Sequence, residues 1–275
     1  MKYCRFMFGE LTHYGRVEKH SGLLQIAALT EAPEEDLGFK LENMGATAWG
    51  HLGFEPLPLS TADLLPPVTP SKIICVGRNY REHAREMGNE IPAEPLLFFK
   101  PPSSLLRPGG AVRLPAVSER VDFEGELALV IGRRAYKMSP DDNWREVVRG
   151  FTIANDISAR DLQQKDSQWT RAKGFDTFCP VGPIVSDELG DKLDLDAGIT
   201  IETRVNGEVR QHASTQDLIF PIPVLLSYIT SVFTLVPGDL ILTGTPAGVG
   251  PLKAGDSVEV SIPGLGVLKN TVEAE

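Results

Sequence analysis

Two glutamates, Glu124 and Glu126, lie two residues apart in the segment VDFEGELALVIG. The apolar residues around them predict one strand over residues 122–132, and side chains at i and i+2 of a strand point to the same face. Two like charges side by side on a sheet are unfavourable unless something positive lies between them. The pair therefore indicates a bound divalent cation, whereas the alternative is a solvated edge strand whose acids face water.

A third carboxylate favours the metal site. Asp156 belongs to FTIANDIS, a predicted strand over residues 151–158, where a lone carboxylate among apolar and small residues would be costly to bury. Three carboxylates from two strands would form an all-oxygen site that suits Mg²⁺ or Mn²⁺ and leaves positions open for water and substrate. Zinc fits less well, because no histidine or cysteine cluster accompanies these acids.

A histidine and a glutamate are spaced for acid–base chemistry in GRNYREHAREMGNE. His83 and Glu86 are three residues apart in a predicted short helix, which places them on one helix face. A glutamate beside a histidine can orient the imidazole and favour its protonated form, as a general base or a water activator requires. A surface ion pair at the same spacing is the alternative.

The segment that follows Asp156 adds further polar side chains. If it is helical, Arg160 and Gln163 lie on one face above the metal, and Lys173 is a candidate partner for a substrate carboxylate or for surplus ligand charge. In LTGTPAGVGP, Thr245 lies in a glycine-rich turn that lacks both the P-loop and the dinucleotide-binding pattern. A solvated surface role is the alternative for Arg160, Gln163 and Lys173, whereas the turn at Thr245 is predicted to lie near a ligand.

The elements that must position these side chains are mainly strands, predicted at 72–77, 95–100, 122–132, 151–158 and 240–245. The pair Asn206-Gly207 predicts a type I′ hairpin, Ser-Pro-Asp-Asp at 139–142 predicts a helix start, and 222–235 predicts a buried helix. Strands and helices do not alternate regularly, so we expect an α+β, mostly β fold with peripheral helices. Prolines 66, 67 and 70 predict a boundary between a small N-terminal domain, 1–70, and a catalytic domain, 71–275.

Composition excludes several classes of protein. With 27 Lys plus Arg against 37 Asp plus Glu, the net charge of −10 argues against a nucleic-acid partner. Three widely spaced cysteines spell neither a disulfide framework nor a zinc cage. The N-terminus lacks a secretory pattern, and prolines interrupt the uncharged stretch 218–238. We therefore expect a cytoplasmic protein with no membrane span.

The motifs in their order along the chain resemble those of the fumarylacetoacetate hydrolase family, in particular its acylpyruvase and oxaloacetate decarboxylase branch. The resemblance covers residue 72 to the C-terminus and rests on GRNYREH, FFKP, DFEGELALVIG, residues 155–163, AKGFDTFCPVGP and GDLILTGTPAGVG. It implies a rolled mixed β-sheet, a homodimer, and dependence on Mg²⁺ or Mn²⁺.

The resemblance also implies roles for individual residues. It makes Glu124, Glu126 and Asp156 the metal ligands. It makes His83 and Glu86 a catalytic dyad on a lid that orders when ligand binds. It places Lys173 in catalytic contact with the substrate, and it adds as substrate-binding side chains Arg160, Gln163 and Thr245.

The activity that the resemblance implies is cleavage of a C–C bond in a small 2-oxo acid through a metal-stabilised enolate. The reaction would be acylpyruvate hydrolysis or oxaloacetate decarboxylation. A 2-hydroxyhepta-2,4-diene-1,7-dioate isomerase-type activity in aromatic catabolism is the alternative. A non-catalytic dicarboxylate-binding protein is an alternative from another class, although His83 and Glu86 argue against it, since a binder needs no base.

Overall fold

The computed structural model describes residues 1–30, 32–33, 54–86, 88, 90–187 and 198–275. Strands predominate among them. In chain order the strands are β1 (Lys2–Phe8), β2 (Leu11–His20), β3 (Leu23–Thr30), β4 (Leu57–Pro58), β5 (Asp63–Leu65), β6 (Ile73–Gly77), β7 (Leu96–Lys100), β8 (Leu105–Leu106), β9 (Ala111–Leu114), β10 (Val121–Phe123), β11 (Gly125–Ile131), β12 (Val148–Asn155), β13 (Ser158–Ala159), β14 (Cys179–Ser186), β15 (Thr200–Val205), β16 (Glu208–Ser214), β17 (Leu240–Leu242), β18 (Gly250–Pro251), β19 (Ser257–Ile262) and β20 (Gly266–Ala274).

The helices are short and lie between strands. They are α1 (Arg81–Glu86), α2 (Arg160–Lys165), α3 (Thr170–Lys173) and α4 (Ile222–Val232), with single 3₁₀ turns at Leu59–Thr61, Pro102–Ser104, Trp144–Glu146 and Thr215–Asp217. None of the helices in the described ranges has the length and apolar character needed to cross a bilayer.

Three sheets form within the described residues. The largest has twelve strands, with the order β4-β3-β2-β1-β14-β12-β11-β17-β6-β7, while β5 pairs with β1 and β8 with β14. A five-stranded sheet has the order β16-β15-β19-β20-β9, and a small one the order β13-β10-β18. Parallel pairs, such as β17 with β6, occur beside antiparallel ones. The predicted mixed, mostly β fold with peripheral helices is confirmed.

The burial of each strand follows its sequence pattern. In β11, GELALVI is buried at every position, as expected of a central strand covered on both faces. In β19, SVEVSI alternates half-buried and buried residues, so only one face of the five-stranded sheet meets the core. Leu127 of β11 and Val260 of β19 belong to one apolar cluster. The two larger sheets therefore share a core, and this packing places the ends of β11 and β12 beside the five-stranded sheet.

Two local predictions have different outcomes. The hairpin is confirmed, since Asn206 and Gly207 connect β15 to β16 with φ values of +53° and +82°. The helix start at 139–142 is wrong. The Asp142 carboxylate accepts the Ser139 N–H at 2.8 Å and closes a turn, and Asn143 then leaves helical geometry with ψ of 88°. Only the 3₁₀ turn at Trp144–Glu146 follows, because the backbone departs from helical geometry at Asn143 before a second turn forms.

The remaining elements lie close to their predicted places. The buried helix begins at Ile222 as predicted and ends at Val232, three residues earlier than expected. Near the N-terminus, β1 pairs with both β5 and β14, so strands from either side of residue 70 share the large sheet. The division into domains at that residue stays a prediction. The three free cysteines are all buried.

Candidate metal centre and active site

The site begins at two interruptions in neighbouring strands. β10 ends at Phe123 and β11 begins at Gly125, so Glu124 lies in a break between two sheets. The prediction of one continuous strand over 122–132 is therefore wrong at this residue. β12 ends at Asn155, and Asp156 follows it directly. These breaks free both acids from the strand ladders and let their carboxylates converge.

Hydrogen bonds between the two breaks hold them in register. The Glu124 N–H donates to the Asn155 side-chain oxygen at 2.9 Å, and the Asp156 N–H donates to the Glu124 carbonyl at 2.8 Å. Each backbone group that leaves its ladder thereby gains a partner, as buried backbone groups require. The chain direction at both acids is consequently fixed by the other strand.

The three predicted ligands lie together and are buried. One oxygen from each of Glu124, Glu126 and Asp156 lies within 4.8 Å of the others. Their exposed fractions are 4%, 2% and 1%, so the alternative of a solvated edge strand is wrong. Three converging carboxylate oxygens are the donor set that a hard divalent cation such as Mg²⁺ or Mn²⁺ prefers. The residues present therefore fit a divalent metal.

Three buried cations bind two of these acids. Lys173 donates to Glu124 at 2.9 Å and to Asp156 at 2.7 Å. Arg160 donates to the other oxygen of Glu124 at 2.5 Å, and Lys100 donates to the other oxygen of Asp156 at 2.7 Å. Both oxygens of Glu124 and both of Asp156 are therefore occupied by charged donors.

Glu126 has a different environment. Its carboxylate accepts the Gly244 N–H at 2.7 Å, and no cation in the described ranges forms an ion pair with it. Burial raises the pKa of Glu126 well above its ordinary value, and the charges of Asp156 and Glu124 raise it further. An added cation at the cluster would remove this penalty, because it favours the ionised form.

The pKa values of its neighbours move in the opposite sense. Burial raises the pKa of Glu124, but the attraction of Lys173 and Arg160 outweighs it and holds that pKa below its ordinary value. Burial lowers the pKa of Lys173, yet Asp156 and Glu124 together hold it above its usual range. Glu124 and Lys173 therefore carry full charges at neutral pH.

Two charged residues of this cluster escaped the sequence interpretation. Lys100 ends the apolar strand β7, is fully buried and also donates to the Ile157 carbonyl at 3.1 Å. Asp122 is fully buried and accepts from Arg160 at 3.0 Å, so it holds the guanidinium that binds Glu124. The available signal was a charge beside a strongly apolar run, in FFKP and VDFEG.

Gln211 of β16 is a third residue that the sequence did not reveal. Its side-chain oxygen accepts the Gly125 N–H at 3.0 Å, and its amide donates to the Thr245 hydroxyl and the Pro246 carbonyl, both at 2.8 Å. The Thr245 hydroxyl in turn donates to the Gly125 carbonyl at 2.9 Å. No motif surrounds Gln211, since the packing of two sheets brings it here.

A cavity of about 250 Å³ opens over the acids. Eight of the nine predicted site residues line it, and Glu86 is the exception. Its lining comprises Val76, Gly77, Arg78, His83, Phe98, Glu124, Glu126, Asp156, Arg160, Gln163, Gln164, Trp169, Lys173 and Thr245. As predicted, Arg160 and Gln163 share one face of α2, where the guanidinium donates to the amide oxygen at 2.6 Å. The roles of all nine residues stay predictions.

Glu86 contributes to the cavity through His83. The Nδ1 atom of His83 lies 3.3 Å from the Glu86 carboxylate, and each carboxylate oxygen also accepts the Gly248 N–H at 3.1 Å. Because a carboxylate accepts only, Nδ1 is the nitrogen that carries a hydrogen toward Glu86, and in the neutral tautomer this leaves Nε2 as the acceptor. Gly248 has φ of +99°, and a Cβ there would lie 2.0 Å from the Arg210 carbonyl, so glycine is required.

Comparison with known proteins agrees with this geometry. Residues 72–273 match the fumarylacetoacetate (FAA) hydrolase C-terminal family. The chain belongs to the fumarylacetoacetate hydrolase family. It is therefore an enzyme of the kind that this family comprises, whose members typically use a divalent metal. The buried acidic cluster is the place in the described structure where such an ion fits.

Members of the family with similar sequences and folds carry several names. The mitochondrial oxaloacetate tautomerase FAHD1 of Arabidopsis thaliana is 42% identical over 207 residues, which cover 74% of this chain and 91% of that protein. The 2-hydroxyhepta-2,4-diene-1,7-dioate isomerase of Mycobacterium marinum has a TM-score of 0.82 at 39% identity, covering 100% and 99% of the two chains. The 5-carboxymethyl-2-hydroxymuconate delta-isomerase of Mycobacterium smegmatis has a TM-score of 0.83 at 36% identity, covering 100% of both.

Proposed function

We propose that this family member is a divalent-metal-dependent enzyme that forms the enol or enolate of a small 2-oxo acid by moving a proton at C3. The observation that carries the proposal is the cluster of three buried carboxylates within 4.8 Å in a cavity whose wall contains His83. The tautomerase and the two isomerases to which the chain is similar are named for proton shifts on acids of this kind.

Glu124, Glu126 and Asp156 would hold the metal ion. When bound, such an ion supplies a Lewis acid that draws electron density from the 2-oxo group and so acidifies the hydrogen on C3. Mg²⁺ and Mn²⁺ both suit an all-oxygen donor set. The family resemblance further implies a homodimer, and sedimentation of the purified protein would test that state.

Arg160 and Lys173 orient the anionic end of the substrate. Both line the cavity, and both are anchored: Arg160 by Asp122 at 3.0 Å, and Lys173 by the two acids it bridges. Anchored cations hold a carboxylate in one orientation with little loss of freedom on binding. The substrate carboxylate is therefore placed beside the acidic cluster with C3 held in a fixed position.

His83 moves the proton. Its Nε2 accepts the hydrogen from C3, the electron pair of the broken C–H bond forms the C2–C3 double bond, and the oxo oxygen takes up the negative charge. Glu86 binds Nδ1 and stabilises the imidazolium that results. The same imidazolium returns the proton to oxygen or to another carbon of the substrate, which completes a tautomerisation or an isomerisation.

Cleavage of a C–C bond is the second candidate, and the pairing of His83 with Glu86 favours it, since such a pair also activates water. The water oxygen would bond to the distal carbonyl carbon of an acylpyruvate while His83 takes its proton. The C3–C4 bond then breaks, its electron pair forms the enolate of pyruvate, and the proton returns to C3. Loss of CO₂ from oxaloacetate gives the same enolate without water.

The test is to assay three substrates with Mg²⁺, with Mn²⁺ and with EDTA. The substrates are oxaloacetate for enol–keto exchange and decarboxylation, 2-hydroxyhepta-2,4-diene-1,7-dioate, and an acylpyruvate. We expect proton-shift activity that EDTA lowers at least about 100-fold and that added metal restores. Activity unchanged by EDTA would refute the metal dependence. Metal binding without turnover of any of the three would support the alternative of a non-catalytic binder.

The role of His83 is tested by His83→Ala, with His212→Ala as the matched control. His212 also lies beside a glutamate, with Nδ1 3.1 Å from Glu202, but it is exposed and does not line the cavity. We expect His83→Ala to lower kcat by about 100- to 10,000-fold and to leave the Kd of Mn²⁺ within about 3-fold. Full activity in His83→Ala would overturn the assignment of the base.

A further inference from the structure

Arg78 differs from the other two strong cations of the cavity wall. Arg160 and Lys173 are each bound to carboxylates of the acidic cluster. Arg78 also lines the cavity and is half-buried, yet it forms no hydrogen bond or ion pair with any residue in the described ranges. Its guanidinium therefore contributes no polar contact to the fold in the described part of the chain. Its charge is therefore available to a ligand.

The backbone at Arg78 is held in an unusual conformation. Its φ is +56°, in the left-handed region that residues with a Cβ rarely occupy. Such a conformation persists where the surroundings enforce it, and it occurs preferentially at functional sites. An arginine at this position is thus consistent with a functional requirement, because a glycine would adopt the same turn without strain.

Asn79 provides the enforcing contacts. Its fully buried side chain donates to the Thr243 carbonyl at 2.8 Å and accepts the Phe220 N–H at 2.8 Å. Its own carbonyl accepts the Ile219 N–H at 2.8 Å. The chain immediately after Arg78 is therefore fastened to two other segments, so the base of the arginine side chain has a fixed position at the cavity.

The wall beside Arg78 is apolar. Phe98 and Trp169 both line the cavity and pack edge to face, with ring centroids 5.2 Å apart. The ring of Trp169 also packs against Gly77, the residue before Arg78, where an added Cβ would lie 3.0 Å from it. The cavity thus combines a charged floor, an apolar wall and a separate cation, Arg78, that forms no ion pair within the described residues. A molecule with two anionic ends joined by a short carbon chain matches these three parts.

We propose that Arg78 binds the distal carboxylate of the substrate and so selects 2-oxo dicarboxylic acids over 2-oxo monocarboxylic acids. The inference rests on the proposed function, which places the 2-oxo carboxylate end at the acidic cluster. A guanidinium can bind a carboxylate through two parallel N–H···O bonds, which an ammonium cannot. Gln163 also lines the cavity, but its neutral amide offers a carboxylate only uncharged N–H donors, so it is less suited to this role.

The test compares Arg78→Gln and Arg78→Lys with Arg81→Gln, an exposed arginine on α1 that does not line the cavity. The ligands are two acids that share the 2-oxo carboxylate end, oxaloacetate and pyruvate. Calorimetry on the Mn²⁺-loaded protein gives the Kd of each ligand without requiring turnover, and thermal unfolding confirms that each variant is folded.

For Arg78→Gln we expect the Kd of oxaloacetate to rise about 10- to 100-fold, as the loss of hydrogen bonds to a charged group predicts. The Kd of pyruvate should change less than about 3-fold. Arg78→Lys should recover part of the loss, and Arg81→Gln should match the unaltered chain. An equal loss for both ligands, or no loss for either, would overturn the role of Arg78.

Failure of the proposed function has a different signature. The unaltered chain would then bind both acids but turn over neither, while the selective loss in Arg78→Gln would still be observed by calorimetry. If the unaltered chain turns over oxaloacetate and Arg78→Gln keeps its KM within about 3-fold, the assignment of Arg78 is wrong and the proposed function stands.

Discussion

Two buried carboxylates in this protein, Asp239 and Glu126, have opposite surroundings. Asp239 precedes β17 and is fully buried, and it forms an ion pair with the Lys72 ammonium. Its carboxylate also accepts from the Ser71 hydroxyl at 2.6 Å and from two backbone N–H groups, at Lys72 and Val236. Glu126, equally inaccessible, accepts one backbone N–H in the described part of the chain. The two carboxylates are similarly buried, but Asp239 has more hydrogen-bond donors around it than Glu126 has in the described residues.

The difference separates a carboxylate that the fold satisfies from one to which the described residues supply a single donor. Buried polar groups in folded proteins are normally satisfied, and Asp239 follows that rule through donors close to it in the sequence or in a neighbouring segment. Glu126 departs from it and keeps lone pairs that a metal ion can use. Asp239 and Glu126 therefore differ in the number of their donors although their exposure is nearly the same.

The largest expected effect comes from neutralising each acid in turn. Glu126→Gln should weaken Mn²⁺ binding by at least about 100-fold and leave the metal-free free energy of unfolding equal or higher, because it removes a buried charge that lacks a cation. Asp239→Asn should leave the Kd of Mn²⁺ unchanged and lower the free energy of unfolding by about 2–3 kcal/mol. Calorimetry and urea unfolding measure both quantities. If both variants changed the Kd of Mn²⁺ equally, the proposed difference in role between Glu126 and Asp239 would be wrong.

The next largest effect is expected from two lysines that form ion pairs with buried acids, Lys100 with Asp156 and Lys72 with Asp239. Lys100→Met leaves Asp156 without the donor on one oxygen, so we expect about a 10- to 100-fold weaker Mn²⁺ affinity and a loss of about 3–5 kcal/mol of unfolding free energy. Lys72→Met is the control, since Asp239 keeps its hydroxyl and backbone donors. It should cost less stability and leave metal binding intact. An unaltered Mn²⁺ affinity in Lys100→Met would show that Asp156 is positioned without it.

A smaller effect is expected from pH. Because the pKa of Glu126 is raised in the fold, the metal-free folded state holds more protons than the unfolded chain between about pH 4.3 and that raised value. The free energy of unfolding in EDTA should therefore fall as pH rises through this window. Urea titrations from pH 5 to pH 8 measure the slope, and Glu126→Gln should reduce it. Saturating Mn²⁺ should also reduce it, since the metal binds the ionised carboxylate.

The smallest effect is expected from Ser71→Ala. This change removes one of several donors to Asp239, so the free energy of unfolding should fall by about 1 kcal/mol, with the Mn²⁺ affinity unchanged. Chemical denaturation with and without the metal provides both values. A fall in the free energy of unfolding above about 3 kcal/mol would mean that Asp239 depends mainly on the Ser71 hydroxyl. Asp239 would then not be a carboxylate with several sufficient donors.

The sequence predicted the ligand cluster because the chemistry of Glu124, Glu126 and Asp156 is local to two apolar strands. It did not predict the strand break at Glu124, since the break depends on hydrogen bonds to Asn155 from a different strand. It placed His83 and Glu86 on one helix face from spacing alone, and the structure has them 3.3 Å apart.

Residues whose role depends on sheet packing were beyond sequence reasoning. Lys100 ends a strand, where a lysine is ordinarily solvated, and only the fold buries it against Asp156. At residues 139–142 the side chains of Ser139 and Asp142 form the hydrogen bonds of a helix start, but no α-helix follows, because Asn143 leaves helical geometry. Local sequence patterns thus predicted the types of side chain at the site. They did not predict the residues that contacts between distant segments bring there.

Gln211 has one further consequence. It belongs to the β15–β16 hairpin, whose turn at Asn206 and Gly207 does not line the cavity, and it hydrogen-bonds both the Gly125 backbone and the Thr245 loop. The position of the chain at Gly125, between Glu124 and Glu126, is therefore tied to the five-stranded sheet. A substitution that moved Gln211 would displace this backbone and the Thr245 loop without altering any residue that lines the cavity.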